Sequence, residues 1–377
     1  MIAFAMKKLN LKIYEKMLLA LLKSALHGTA PETGLFSAAS DDDWRLCARL
    51  AARQGVLAVA WDAVAMMPAA LQPPSALKIS WALAVEKYEK EYERYCNVAL
   101  EFSEICEHHG IRPVLLKGVG FSLCYPVPSH REGGDIDFYA ISVGDGSCAG
   151  EAVDALMKNL GVDVDSEHSL KHSGFYYKGI PFENHKSFLD VALHEVARRM
   201  EPMFGRLLDA HRVELLPGRY VYVPSPAFNT AFIVYHAAQH YGAGLALHHL
   251  FDWACLLKRY GLNIPADVTD EHFVRGINAF TLLCNEFLGT DVPVKGREKL
   301  ARNLLEEIFC PHGSEKCPAD ASFLHRLMFK VRQYKYLIPI NNTILHIPLW
   351  RNPFFWTNIK DALEWKISCL VSWLRGK

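Results

Sequence analysis

Cysteine pairs at metal-binding or redox spacing are missing from this chain. Its ten cysteines stand singly, with no Cys-x-x-Cys anywhere. That argues against a disulfide framework and fits reduced thiols in the cytoplasm. An excess of either charge is missing too, since Lys plus Arg and Asp plus Glu are 41 each. A large nucleic-acid partner, which needs a basic field, is therefore not expected. No uncharged apolar run approaches the roughly 18 residues of a membrane span, so none is expected. Near the N-terminus Lys7, Lys8, Lys12, Lys16 and Lys23 interrupt every stretch that could serve as a signal-peptide core, which leaves an amphipathic helix. Internal repeats and low-complexity tracts are lacking as well. A composition of 51% hydrophobic and 22% charged residues is that of a globular protein.

What is present divides by periodicity. Single cores stop growing at roughly 250 to 300 residues, so 377 residues imply a central domain with helical additions. Residues 1–109 read as a helical region, with apolar positions such as Leu18, Leu19 and Leu22, or Leu46, Leu50 and Ala51, recurring at three and four. Pro68, Pro73 and Pro74 break it, and a long helix is predicted over Ser75–His109, closed by Gly110. At Arg112–Gly118 the pattern becomes a short continuous apolar run ended by glycine, the mark of a buried strand. A short helix (Val119–Cys124), a second strand (Asp135–Ala140), a helix (Glu151–Leu160) and a hairpin (Gly174–Lys178 and Ile180–His185 about Gly179) complete an α/β core over residues 110–225. Helices at Phe228–Tyr241, Ala246–Tyr260 and Asp270–Leu288 make a further region, 226–310. After a Pro/Gly linker (Pro311–Asp320) comes an aromatic and basic tail, 321–377, whose stripe from Ile359 to Leu374 reads as a core-facing helix rather than a membrane-surface one. The fold class is α+β: a small mixed sheet flanked by helices, with helical regions at both ends.

The chemistry concentrates in Gly133-Gly134-Asp135-Ile136-Asp137-Phe138. Side chains alternate across a strand, so residues two apart emerge on one face, and Asp135 and Asp137 become a carboxylate pair. One or two carboxylates plus substrate phosphates and water are what magnesium takes. Gly133 and Gly134 leave room for a phosphate chain beside the backbone. Taken alone, Asp-x-Asp at a strand end is more often accidental than functional. The upstream strand ending in Lys117-Gly118 and the downstream acidic Glu183 give it context.

With those residues in place, Val114–Ala140 resembles the polymerase-β-type nucleotidyltransferase superfamily. Within it the chain is most similar to the bacterial uncharacterised nucleotidyltransferase family. The resemblance rests on Leu116-Lys117-Gly118, Tyr125-Pro126, Arg131, Asp135-Ile136-Asp137 and the acidic-x-His run Glu183-Asn184-His185, and spans about residues 95–260. It implies a nucleotidyltransferase sheet. It also implies transfer of a nucleotidyl group from an NTP to a hydroxyl of a small molecule, sugar or protein, with Mg2+ or Mn2+ held by Asp135, Asp137 and Glu183. Lys117, Gly118, Arg131, Gly134 and His185 become candidates for holding the nucleotide. Asp190, in Phe188-Leu189-Asp190-Val191, competes with Glu183 as third carboxylate. The chain departs from the superfamily in its first turn, where Lys117-Gly118 replaces Gly-Ser or Gly-Gly and removes the hydroxyl that would touch a phosphate. The alternative is a catalytically silent nucleotidyltransferase-like module that binds a nucleotide or a partner.

Two further groups are weighed. His236-x-x-x-His240 sets two imidazoles on one helical face, with His248-His249 nearby, a spacing that can bind zinc; Ala237 occupies the place of the acid in a His-Glu-x-x-His protease. Packing or substrate contact is the preferred reading. Cys310, His312 and Cys317 lack zinc spacing.

Overall fold

The change of hydrophobic period after Gly110 marks where helices give way to a sheet. The computed structural model describes residues 11–166, 171–189, 191, 195–240, 245–296, 298–309, 322–326 and 328–329. The linker 311–320, Cys310, Cys317, Asp190 and nearly all of the tail lie outside the described residues. The N-terminal helices are α1 (Ile13–His27), α2 (Thr33–Ser37), α3 (Asp41–Arg53), α4 (Leu57–Ala65) and α5 (Ser75–His108). There follow β1 (Ile111–Leu115), α6 (Val119–Ser122), β2 (Ile136–Ser142), α7 (Gly150–Asn159), β3 (Val164–Asp165), β4 (His172–Tyr177) and β5 (Ile180–His185). The chain continues through α8 (Glu195–Leu207), β6 (Ala210–Leu216), β7 (Arg219–Pro224), α9 (Pro226–His240), α10 (Leu247–Tyr260), α11 (Glu271–Leu283) and α12 (Glu298–Phe309). No helix among the described residues is long and apolar enough to cross a membrane.

Among the described residues seven strands form one mixed sheet in the order β3-β4-β5-β2-β1-β7-β6. β2 is antiparallel to β1 and parallel to β5, while β1 is parallel to β7. The β4–β5 hairpin turns at Lys178-Gly179, as its sequence predicts. The β6–β7 hairpin is a difference: the sequence reading passes over it, although Pro217-Gly218 separates two strand-like runs, one of them the alternating Tyr220-Val221-Tyr222-Val223. A second difference is in the third helix after residue 226. It is α-helical only to Leu283 and continues as a π-helical turn, Cys284–Leu288, ended by Gly289 in the left-handed region.

Strand parity sorts the residues into two layers. Ile136, Phe138 and Ala140 of β2, with Ile180 and Phe182 of β5, face the C-terminal half of α5 and α7, where Phe102 meets Phe138 at 4.9 Å and Phe182 at 4.8 Å between ring centres. The alternate residues, including Asp137 and Tyr139, face the larger helical body, in which α1, α3, α4 and α8–α12 share one apolar core. At 34 residues, α5 is about 51 Å long. It serves both layers: Trp81 and Val85 sit in the helical core, and Val98 to Cys106 lie under the sheet.

One polar knot ties α7 to the β4–β5 hairpin. The buried Asp154 carboxylate accepts from Ser173 Oγ at 2.6 Å, Asn184 Nδ2 at 2.8 Å and Lys186 Nζ at 2.7 Å. Removing a buried acceptor strands its donors at the desolvation cost of each. Asp154→Ala is therefore expected to lower the unfolding free energy by about 3 kcal/mol, read as a reduced urea midpoint at unchanged slope.

Candidate metal and nucleotide site

Two backbone features bring the site together. Gly118 turns the chain after β1 with φ +56, close against the Asp135 carbonyl, and Gly120 sits so near Leu115 that a Cβ there would meet its carbonyl oxygen at 2.7 Å. Glycine alone lets α6 fold back on β1. The turn sets Lys117 on the Asp137 face of the sheet, its side chain 16% exposed, with Nζ 2.9 Å from Asp137 Oδ1. On the other flank, β2 and β5 run parallel with Asp137 directly beside Glu183. Asp135, just before β2, joins them. Ligand oxygens of Asp135, Asp137 and Glu183 all lie within 4.8 Å of one another.

The electrostatics follow from burial. Asp137 is 1% exposed; burial raises its pKa, but the Lys117 ammonium and the His185 imidazole, whose Nε2 is 3.1 Å from Oδ1, outweigh it and hold the carboxyl well below the usual range. For Lys117, burial is likewise outweighed, by Asp137 and Asp135, and its pKa is raised. Among the described residues Asp135 has no such ion pair. Burial, with Asp137 and Glu183 adding to it against Lys117, pushes its pKa up to about 6. Glu183 is lowered by His185, 3.7 Å away, against burial. Asp137 Oδ2 is buried with no hydrogen-bond partner among the described residues. An orphaned carboxylate oxygen and a repelled second carboxyl are what a divalent cation would satisfy, so the three side chains fit such an ion.

The remaining candidates fall in different places. Arg131 is paired with a carboxylate outside the three: Nε and Nη2 donate to the two oxygens of Asp252, at 3.0 and 2.8 Å, in a pair only 9% and 6% exposed. Tyr125 OH donates to the same carboxylate at 2.6 Å. The sequence reading makes Arg131 a candidate for holding the nucleotide; its carboxylate partner here comes from α10. Its neighbours are tethered as well. His130 contacts Asp62 of α4 at 2.8 Å and Glu89 of α5 at 3.0 Å. Glu132 accepts the first amides of α4, Leu57 at 2.6 Å and Ala58 at 3.2 Å. Gly134 accepts from Tyr95 OH at 3.1 Å, and a Cβ on Gly134 would meet nothing within 4 Å, so the loop stays open on its outer side. Gly118, Gly133, Arg131 and Asp135 line a small cleft there with Tyr92 and Tyr95.

Sequence reasoning overlooked His172. It lies across from His185 on the β4–β5 hairpin, with Nε2 3.8 Å from Glu183 Oε1, and burial lowers its pKa. The predicted hairpin register was the signal that could have found it. The spacing of His236 and His240 gains a member from α10, since His249 lies within 4.8 Å of both. Burial lowers the pKa of all three rings.

A family model described as an uncharacterised nucleotidyltransferase matches residues 40–289, well over half of the chain. No curated protein and no solved structure matches.

The raised pKa of Asp135 makes a testable linkage. A carboxyl whose folded pKa lies above its unfolded value stabilises the fold below the unfolded pKa, near 3.8, and that contribution is lost as pH rises through about 6. Relative to Asp135→Asn, the metal-free protein is expected to lose roughly 2 kcal/mol across this window. Urea unfolding at a series of pH values reads the difference; parallel profiles would refute the buried, repelled carboxyl.

Proposed function

The chain belongs to the uncharacterised nucleotidyltransferase family, and on that premise we propose that it transfers a nucleotidyl group from a nucleoside triphosphate to a hydroxyl acceptor, in the manner of the polymerase-β-type superfamily. The observation that carries this reading is the lateral pairing of Asp137 with Glu183 on adjacent parallel strands, with Asp135 beside them. Three carboxylates from two strands favour an active centre over a silent module.

In the reaction the acceptor oxygen bonds to the α-phosphorus as the bond to the pyrophosphate oxygen breaks. Asp135, Asp137 and Glu183 would hold magnesium or manganese, which supplies positive charge to the triphosphate and acidifies the acceptor hydroxyl. Lys117 brings a permanent charge that no serine in the first turn replaces, and it keeps Asp137 ionised for the task. Backbone at Gly118 and Gly134 leaves space for the phosphate chain. His185 orients Asp137 and Glu183 together. Arg131, committed to Asp252, is a positioning residue that fixes the loop leading into Asp135. Most of the rate then comes from placing charge and reactants, as in phosphoryl transfer generally.

Isothermal titration of the four common NTPs with magnesium tests the reading. Binding of at least one nucleotide is expected to be magnesium-dependent and weakened by about tenfold or more in Asp137→Asn and Asp135→Asn. Nucleotide affinity indifferent to magnesium and to both substitutions would count decisively against it.

A further inference from the structure

Glu183 belongs to two overlapping ligand sets. It groups with Asp135 and Asp137 on one side and with His172 and His185 on the other, and in each set the ligand atoms lie within 4.8 Å of one another. Strand geometry produces the second set as directly as the first. His172 is the cross-strand partner of His185, and Glu183 precedes His185 by two residues, so all three side chains emerge on the same face. The imidazoles approach opposite carboxylate oxygens, His172 Nε2 at 3.8 Å from Oε1 and His185 Nε2 at 3.7 Å from Oε2. Ligands at roughly 2.1 Å from a shared ion stand about 3 to 3.5 Å apart, so small side-chain rotations bring these atoms into a first coordination sphere.

The two sets differ in chemistry. An all-carboxylate group suits a hard ion such as magnesium, which imidazole serves poorly. Two histidines and one carboxylate make the donor set of open zinc-type sites, with positions left for water or substrate. A cavity of about 450 Å³ opens on this flank, lined by His172, Glu183, Gly174, Tyr176, Asp163 and Asp165, and gives an ion and its water access from solvent.

The three imidazoles of His236, His240 and His249 are the rival group, and two contacts weigh against them. His249 Nδ1 accepts the Ala246 amide at 3.1 Å, so its neutral ring carries the proton on Nε2 and has no lone pair to offer there. The Lys117 ammonium stands 3.2 Å from His236 Nε2, and the set contains no carboxylate to offset it. His185 is different: Nε2 donates to Asp137 Oδ1 at 3.1 Å without an ion, but Nδ1 has no hydrogen-bond partner among the described residues, so the ring can carry its proton there instead and turn the Nε2 lone pair to a metal, a change of tautomer that the Ala246 amide denies His249.

We propose that the carboxylate centre is one half of a two-ion site, in which Glu183 is shared and His172 with His185 completes a second position for a zinc-class transition-metal ion. The inference rests on the reading of Asp135, Asp137 and Glu183 as a divalent-ion centre. Magnesium alone then fills only the all-carboxylate position.

The test uses the full chain, stripped with a chelator, reloaded with Zn2+, dialysed and assayed by inductively coupled plasma mass spectrometry. Wild type and Asp135→Asn are expected to keep about one equivalent of zinc per chain, and His172→Ala and His185→Gln less than about a tenth of it. His240→Ala is expected to keep its zinc. Added zinc should raise the melting temperature of wild type but not of His172→Ala; His172→Gln replaces any variant lacking a cooperative transition. A wild type that retains no zinc, zinc retained in both hairpin variants, or zinc lost in His240→Ala would each overturn the proposal. Zinc bound as described, with no magnesium-dependent NTP binding by wild type, would instead remove the nucleotidyl-transfer reading and leave the zinc site standing.

Discussion

Asp137 is a carboxylate almost without access to water, and the Lys117 ammonium 2.9 Å away is the main reason it stays ionised. An isolated charge at that depth would neutralise or unfold its surroundings. The pairing demands that β1 end in a turn tight enough to bring Lys117 onto the Asp137 face of the sheet, and that demand accounts for Gly118 in the left-handed region and for Gly120 pressed on Leu115. In the sheet order β5-β2-β1, β5 sets Glu183 on the other side of Asp137. With Asp137 neutralised on one oxygen by Lys117, Asp135 is left as the carboxyl that carries the unrelieved repulsion.

Much of the architecture is legible because it is local. The long helix from Ser75, the buried strand before Gly118, the hairpin about Gly179 and the helices after Pro226 all follow from period, proline and glycine. The common face of Asp135 and Asp137 follows from parity. What escapes sequence is pairing at long range. Nothing near Arg131 announces that its partner is Asp252, 121 residues away, and nothing in β2 announces which strand lies beside it. The β6–β7 hairpin escaped for a different reason: its Pro-Gly turn is plain, but it falls between two regions whose patterns are stronger. The sequence sets His248-His249 near His236 and His240, but that His249 is the one to join them follows only from the packing of α10 on α9.

The segment His130–Gly134 is where the helical body and the sheet meet. Its polar groups end on three helices: Asp62 and the first amides on α4, Glu89 and Tyr95 on α5, Asp252 on α10. Apart from the exposed Tyr95–Gly134 bond these are part-buried contacts, so each of them costs more to break than an exposed ion pair. The loop leading into Asp135 is thus held by parts of the chain that contain none of the three carboxylates.

That bracing bears on how the sequence can change over time. Asp62, Glu89, Tyr95 and Asp252 lie outside the carboxylate triad, yet each anchors the approach to Asp135, so a substitution at any of them alters a distant centre while leaving its own helix intact. The segment therefore couples the helical regions to the sheet: a helix taken from another sequence would have to bring with it the partner of the loop residue it meets.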